Sequence, residues 1–502
     1  MLAHTTTVAF EGLEARAVDV QCAVSPGLPG FSIVGLPDKA VSEARDRIRT
    51  ALAEQGIALP SKKVTVNLSP ADLPKEGAHF DLPIALSLLA ALELVPSEAV
   101  SRAVSIGEMS LDGSLVAVAG ALPAAVTAGS LDADLLCPEA CGPEAAWVGA
   151  TPVYAARSIK ALIDHLTGNA PLDRAAKGRL PDPVAGPCLR DVRGQERAKR
   201  ALEIAAAGRH HLFMSGPPGA GKSMLAARLP GLLPPLSAME SLETSMIHSL
   251  AGTLDEGGIL QARPFQEPHH TASKAAIVGG GKRAGPGQIS LAHNGVLFMD
   301  EFPEFQREVL ESLRQPIETG EVTIARANAH VRYPCRFLLV AAANPCRCGM
   351  LFDADAACSR APVCGEDYMK KISGPLMDRF DLRLEVPAVE IADLALPQSG
   401  DGSAEVATRV AAARAIQAAR FADDPAVTVN ADVAADALAE VATPDADGQD
   451  MLRKAADRFR LSARGYHRVL KVARTVADLD ASDVVRRPHV AEALSYRLVT
   501  QP

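Results

Sequence analysis

Aromatic residues are scarce in this chain: 4% of its 502 residues, with a single Trp. Hydrophobic residues nevertheless make up 48%, with much Ala, and the composition reads as a soluble, helix-rich α/β protein. Long apolar runs are absent too. No stretch approaches the ~18–20 uninterrupted apolar residues of a bilayer span, which excludes a membrane-crossing helix. The start, Met1-Leu2-Ala3-His4-Thr5-Thr6, lacks a basic segment followed by an apolar core, so no signal peptide and a cytoplasmic location are expected. In that compartment the nine cysteines are expected as thiols or metal ligands rather than disulfides. An excess of basic charge is also missing. The formal net charge is −9, which does not favour nucleic-acid binding through the overall field. A ring-shaped motor can still gather its Lys and Arg in a pore, so net charge decides little about partners.

A chain this long exceeds one ordinary core, and about two to four domains are expected. Residues 1–166 alternate short β-like runs with helical stretches; Val41, Ala44, Ile48 and Leu52 recur at helical spacing and should face a core. Residues 167–188, rich in Pro and scattered charge, read as a linker. Residues 189–396 form the next block. Residues 397–502 are Ala-rich, nearly free of strand signals, and read as a helical bundle.

Against this background one motif stands out. Gly216-Pro217-Pro218-Gly219-Ala220-Gly221-Lys222-Ser223 follows an apolar run and precedes a helix-compatible one, the strand–loop–helix setting of a P-loop. The glycines let successive N–H groups turn toward phosphate oxygens, and a helix N-terminus adds partial positive charge there. Lys222 can reach the β/γ-phosphates and Ser223 can hold Mg²⁺, so the expected ligand is ATP with Mg²⁺. Further on, Val296-Leu297-Phe298-Met299-Asp300-Glu301 has the pattern of a buried strand ending in two carboxylates. Asp300 is suited to the metal, and Glu301 to orienting and deprotonating an attacking water.

A second apolar strand ends in Asn344-Pro345. An amide there can sense the γ-phosphate; the same dipeptide also makes a plain turn. Arg379, in Gly374-Pro375-Leu376-Met377-Asp378-Arg379-Phe380-Asp381, can reach a neighbouring subunit's nucleotide or simply pair with Asp378 or Asp381. Arg464, Arg468 and Lys471 share one helical face, with Val469, Val472 and Val476 on another. Arg464 is a candidate second phosphate sensor, and a solvated face is the alternative.

These motifs together resemble the magnesium-chelatase-like branch of the AAA+ ATPases. With Pro26-Gly27-Leu28-Pro29-Gly30-Phe31-Ser32-Ile33-Val34-Gly35-Leu36-Pro37 and Phe80-Asp81-Leu82-Pro83-Ile84-Ala85 in the first block, the chain resembles the YifB/ComM family over nearly its whole length. The resemblance implies a Lon-protease-like α+β domain at the N-terminus, a central P-loop AAA+ parallel-sheet domain and a C-terminal helical lid. It implies that Arg379 is a finger acting in trans, that Arg464 is the lid sensor, and that the chain forms a homo-hexameric ring. It also implies two DNA-gripping pore loops. One is the segment 265–289 with Lys274, Lys282 and Arg283; the other is 321–333 with Arg326 near Ala327-Asn328-Ala329.

A peptidase has to be weighed, since the first block is Lon-like. Aligned on Pro74-Lys75-Glu76-Gly77-Ala78-His79 and on Gly107-Glu108-Met109-Ser110, the nucleophile position holds His79 and the amine position Pro123. Neither can do Ser–Lys chemistry. The block then reads as a scaffold or DNA-contact module, with Arg45, Arg47, Arg49, Lys62, Lys63 and Lys75 as candidate phosphate contacts. Cys346, Cys348, Cys358 and Cys364 put four thiols in a short stretch, a candidate structural Zn²⁺ site, although C-x-C, C-x₉-C, C-x₅-C is not the usual paired knuckle. The expected function is an ATP-driven hexameric DNA motor, a helicase or branch-migration enzyme, for which the resemblance implies a role in natural transformation. The motor subunit of a metal chelatase is the alternative, and an ATP-dependent peptidase a weaker one.

Overall fold

The computed structural model describes residues 2–180, 186–254, 257–281, 284–325, 330–349, 351, 359–388, 400–424 and 426–497. Two long strands begin the chain. β1 (Leu2–Glu11) and β2 (Glu14–Ser25) pair antiparallel, with Leu2 opposite Ala23 and Glu11 opposite Glu14. Along β2, Val18, Val20, Cys22 and Val24 are buried while the residues between them are not, the two-residue period of a sheet with one face on a core. β3 (Gly30–Val34), β4 (Lys63–Ser69), β5 (Ala103–Ser105), β6 (Asp134–Pro138) and β7 (Val153–Ala156) complete a seven-stranded mixed sheet, ordered β3-β4-β2-β1-β5-β6-β7.

Helix α1 (Lys39–Glu54) starts where the Asp38 carboxylate accepts the Val41 N–H at 2.7 Å. It turns Val41, Ala44, Ile48 and Leu52 fully into the core, as their spacing predicts. Each of the larger aliphatic side chains there contributes about 1.5–3 kcal/mol by leaving water. Helix α2 (Asp81–Ala91) is buried on every face, so its run of apolar residues needs no polar side. The stretch 167–180, expected as a linker, lies along the last strand. Ala175 N–H donates to Val153 O at 2.8 Å and Gly178 N–H to Pro143 O at 2.9 Å.

The second sheet positions the site. β8 (Leu212–Ser215), β9 (Phe265–Gln266), β10 (Val296–Met299), β13 (Leu338–Ala343) and β14 (Leu382–Glu385) are all parallel, in the order β9-β10-β13-β8-β14. Between β10 and β13 the chain makes an antiparallel hairpin, β11 (Glu321–Ala325) with β12 (His330–Pro334). Every residue of β10 and β13 is buried, as parallel strands covered on both faces require. One face carries Phe302, Phe305, Val309 and Leu313 together with Val322, Ile324, Val331 and Tyr333 of the hairpin.

The other face carries α3 (Glu196–Gly208), and beyond it the C-terminal helices. These helices are not a separate bundle. Val406, Val410 and Ala413 of α4 (Ser403–Arg420) and Val469, Val472 and Val476 of α5 (Ala463–Leu479) share one buried core with Leu212, Met214 and Val340 of the sheet. The first sheet also touches the second half of the chain directly. Gly120 N–H donates to Ser249 O at 3.2 Å, and the Trp147 indole N–H to Gly257 O at 3.1 Å. Among the described residues no helix is long and apolar enough to cross a membrane.

Candidate nucleotide site

The carboxyl ends of β8, β10 and β13 lie side by side, the edge where parallel α/β sheets bind ligands. The P-loop leaves β8 there and enters a short helix, Lys222–Ala226. Gly219 and Gly221 sit at φ +77° and +86°, backbone that L side chains rarely adopt. Such left-handed turns let consecutive N–H groups converge on a phosphate. Gly216 is required for a different reason: a Cβ there would stand 2.1 Å from the Val386 carbonyl oxygen. The Lys222 ammonium is buried and held by three oxygens: Gly216 O at 2.7 Å, Pro217 O at 2.9 Å and Asn344 Oδ1 at 3.1 Å. Burial pushes its pKa down and nearby Asp300 pulls it back up. A cation desolvated in this way is ready to exchange carbonyl oxygens for phosphate oxygens.

Ser223 Oγ donates to Asp300 Oδ2 at 2.7 Å. The P-loop hydroxyl and the carboxylate from the end of β10 thus form one oxygen pair, the ligand chemistry a hard Mg²⁺ ion takes. The next residue, Glu301, has φ +50°, a strained value for a residue with a side chain. Its N–H donates to Asp300 Oδ1 at 2.8 Å, which fixes the turn and separates the two carboxylates. Glu301 Oε2 then meets His270 Nδ1 at 3.1 Å. Neither His270 nor Glu267, whose carboxyl is pushed up by burial and by neighbouring Asp300, was singled out from the sequence. The available signal was the polar run Gln266-Glu267-Pro268-His269-His270 leaving β9 at the same sheet edge. A cavity of about 430 Å³ is lined by Arg193, Gln195, Glu385 and Pro387 among others, at the end of β14.

Arg379 is not part of this cluster. Its guanidinium pairs with Glu318 Oε1 at 2.6 Å and donates to Arg314 O at 3.0 Å and Pro375 O at 2.6 Å. Neither Asp378 nor Asp381, the partners weighed from the sequence, holds it. Asp378 serves Arg383 and Arg497, and buried Asp381 serves Arg468 at 2.5 Å. Arg468 also donates to Arg379 O at 2.9 Å. Arg464 is exposed at the start of α5, close enough to Arg379 to act on it as a like charge. The three cations of the predicted helical face therefore part company: Lys471 donates to Ala431 O at 2.8 Å, Arg468 to Asp381, and Arg464 faces solvent.

Two of the candidate phosphate contacts, and the zinc site, need correction. Arg47 is not a free phosphate contact, because it grips buried Asp81 with both prongs, at 2.7 and 2.8 Å. Lys75 is fully buried and donates to Pro70 O. Arg49, Lys62 and Lys63 are exposed, and Arg45 pairs with Asp46 on the surface. His79 is buried with Nε2 2.9 Å from Val8 O, and Pro123 is buried in the helix Ala121–Ser130. Among the described residues no three His, Cys, Asp or Glu side chains group as metal ligands, so the zinc reading has no support. Cys346 is buried and Cys348 exposed. Cys358, Lys282, Arg283, Arg326, Ala327, Asn328 and Ala329 lie outside the described residues.

Comparison with known proteins follows the same three-part order. The family profile "Subunit ChlI of Mg-chelatase" matches residues 20–140. "Magnesium chelatase, subunit ChlI" matches 188–394, and its C-terminal profile 400–497. The chain is 41% identical over 506 residues to the competence protein ComM of Haemophilus influenzae, covering 100% of this chain and 98% of that one. The chain belongs to the YifB/ComM family. YifB of Salmonella typhimurium, itself uncharacterized, is 41% identical over 99% of this chain and 97% of its own. This YifB/ComM family sits within the magnesium-chelatase-like AAA+ proteins. The magnesium-chelatase 38 kDa subunit of Rhodobacter capsulatus is 29% identical over 36% of this chain and 55% of its own.

Proposed function

We propose that this chain is an ATP hydrolase that works as a homo-hexameric ring and drives DNA, by unwinding or branch migration, during recombination of incoming DNA. The observation that carries the ATPase part is the joining of three strand ends into one site: Lys222 on Asn344, and Ser223 on Asp300 beside Glu301. Gly216, Pro217, Pro218, Gly219, Ala220, Gly221, Lys222 and Ser223 would hold the triphosphate, and Ser223 with Asp300 the Mg²⁺. Bound Mg²⁺ supplies charge neutralisation at the β- and γ-phosphates. Asn344 keeps Lys222 aimed into the loop and contacts the γ-phosphate. Glu301 takes the proton of the attacking water, and His270 holds that carboxylate in place beforehand. Arg379 supplies a cation to the next subunit's site, and Arg464 at the start of α5 serves as the lid's phosphate sensor.

The DNA part is supported by likeness to ComM, a competence protein, over the full chain. It is also supported by hairpin β11–β12, which is inserted in the chain between the two strands that carry Glu301 and Asn344 and packs its base on the sheet. A chelatase motor subunit is the competing reading. The peptidase reading has His79 and Pro123 against it. Steady-state ATPase measured without DNA and with single-stranded, duplex and forked DNA tests the proposal. Stimulation by single-stranded or forked DNA supports it. One rate under all four conditions, with stimulation only by a tetrapyrrole-binding partner, sinks it.

A further inference from the structure

A finger that serves a neighbour should stand free, and Arg379 does not. Its side chain is 7% exposed. Nε is committed to Arg314 O, Nη1 to Pro375 O and Nη2 to Glu318 Oε1. The planar fork is therefore satisfied within its own subunit, and it must leave part of this socket before it can touch another subunit's phosphate. Two of the three partners, Arg314 and Glu318, belong to one short helix, Arg314–Thr319. That helix runs directly into hairpin β11–β12 through Gly320, at φ +68°.

The join is stiff. Cys335 N–H donates to Gly320 O at 2.8 Å, closing the hairpin base, and Thr319 Oγ donates to Glu321 O at 2.9 Å. Displacing the hairpin therefore displaces Glu318 with it. Of the three accepting groups only the Glu318 carboxylate is charged, the others being backbone carbonyls, and its side chain is 46% exposed, so it is the one that can exchange for a stronger anion.

We propose that Glu318 is a positioning residue for hydrolysis: its carboxylate keeps the Arg379 guanidinium inside its own subunit, and movement of hairpin β11–β12 releases it. The inference rests on reading Arg379 as the cation that acts in trans. On this arrangement a ligand that displaces the hairpin would accelerate turnover. The backbone end of the finger stays anchored meanwhile, since Arg468 holds both Arg379 O and Asp381.

The test compares full-length wild type with Glu318→Gln, Glu318→Asp and Arg379→Ala, reading kcat and KM for ATP with and without forked DNA. Glu318→Gln is expected to raise the DNA-free kcat about fivefold, the population change that losing one half-exposed ion pair brings. KM should stay within about twofold, and the DNA stimulation ratio should fall by the same factor as the basal rate rises. Glu318→Asp, which keeps the charge, should return most of the way to wild type; a purely structural role would not follow charge in this way. An unchanged or lowered DNA-free kcat in Glu318→Gln overturns the proposal. So does full turnover in Arg379→Ala, which removes the finger itself. If DNA leaves the wild type unmoved while Glu318→Gln still raises the basal rate, the Glu318 contact stands and only the DNA reading fails.

Discussion

Replacing Asp381 by Asn tests how the C-terminal helices are fastened to the ATPase sheet. The Asp381 side chain is 3% exposed. Oδ1 meets Arg468 Nη1 at 2.5 Å, and Oδ2 accepts the His211 N–H at 3.2 Å and lies 3.5 Å from His210 Nδ1. Burial alone would push this carboxyl up; Arg468, His210 and His211 overcome it and hold it well below the usual carboxylate range. Asn keeps the shape and one acceptor but removes the negative charge, leaving the Arg468 cation without its counter-charge. Breaking one side of a buried pair costs about 3–5 kcal/mol, and because Arg468 is 20% exposed the lower end applies, about 3 kcal/mol. Urea unfolding followed by far-UV circular dichroism measures it at pH 7. The Arg468→Met single variant should cost a similar amount, and the double variant less than the sum, since both then remove one interaction. A loss below about 1 kcal/mol in Asp381→Asn, or strict additivity, would refute the reasoning. The sign with pH is fixed as well. The folded value is depressed, so the contribution is complete above pH ~4 and fades as pH falls through the folded value.

Three further outcomes are expected. Glu301→Gln should leave nucleotide affinity within about twofold but lower kcat by roughly 10²–10⁴, the usual worth of a positioned base; phosphate release beside nucleotide binding reads both. His211 accepts the Leu339 N–H at Nδ1, and burial lowers its pKa to about 4. Stability should therefore be complete above pH ~6.5 and fall as pH drops toward 4, by on the order of 3 kcal/mol; His211→Asn, which keeps an acceptor but does not titrate, should flatten that slope in urea midpoints. Gly216→Ala forces a Cβ against Val386 O, so nucleotide affinity should fall at least about tenfold, read by equilibrium binding, with about 1–3 kcal/mol lost in stability.

Much of this molecule is readable from local pattern. A P-loop is contiguous, its glycines have one conformational reason each, and the strands before Asp300 and Asn344 are short apolar runs with no rival reading. What pattern could not supply is partnership across the sheet. Strand order puts His270 beside Glu301, and nothing in the spacing from β9 to β10 announces it. Arg47 and Lys75 failed as surface cations for the same reason. A helix face or a turn shows that a charge exists, while a buried carboxylate such as Asp81, or an enclosing loop such as that at Pro70, decides whether it meets solvent. The lid, read as a bundle, has instead a core continuous with the sheet, because its Val and Ala stripes face α3 as much as one another.

Mixed rings test most directly whether the nucleotide site is completed across a subunit boundary. Lys222→Ala removes the phosphate grip, and Arg379→Ala removes the cation offered to the neighbour; each alone should be inactive. Rings assembled from both variants, with mixing verified by mass, should recover part of the wild-type ATPase rate, because some interfaces then pair an intact P-loop with an intact Arg379. Verified mixed rings that stay as inactive as either parent would contradict the account.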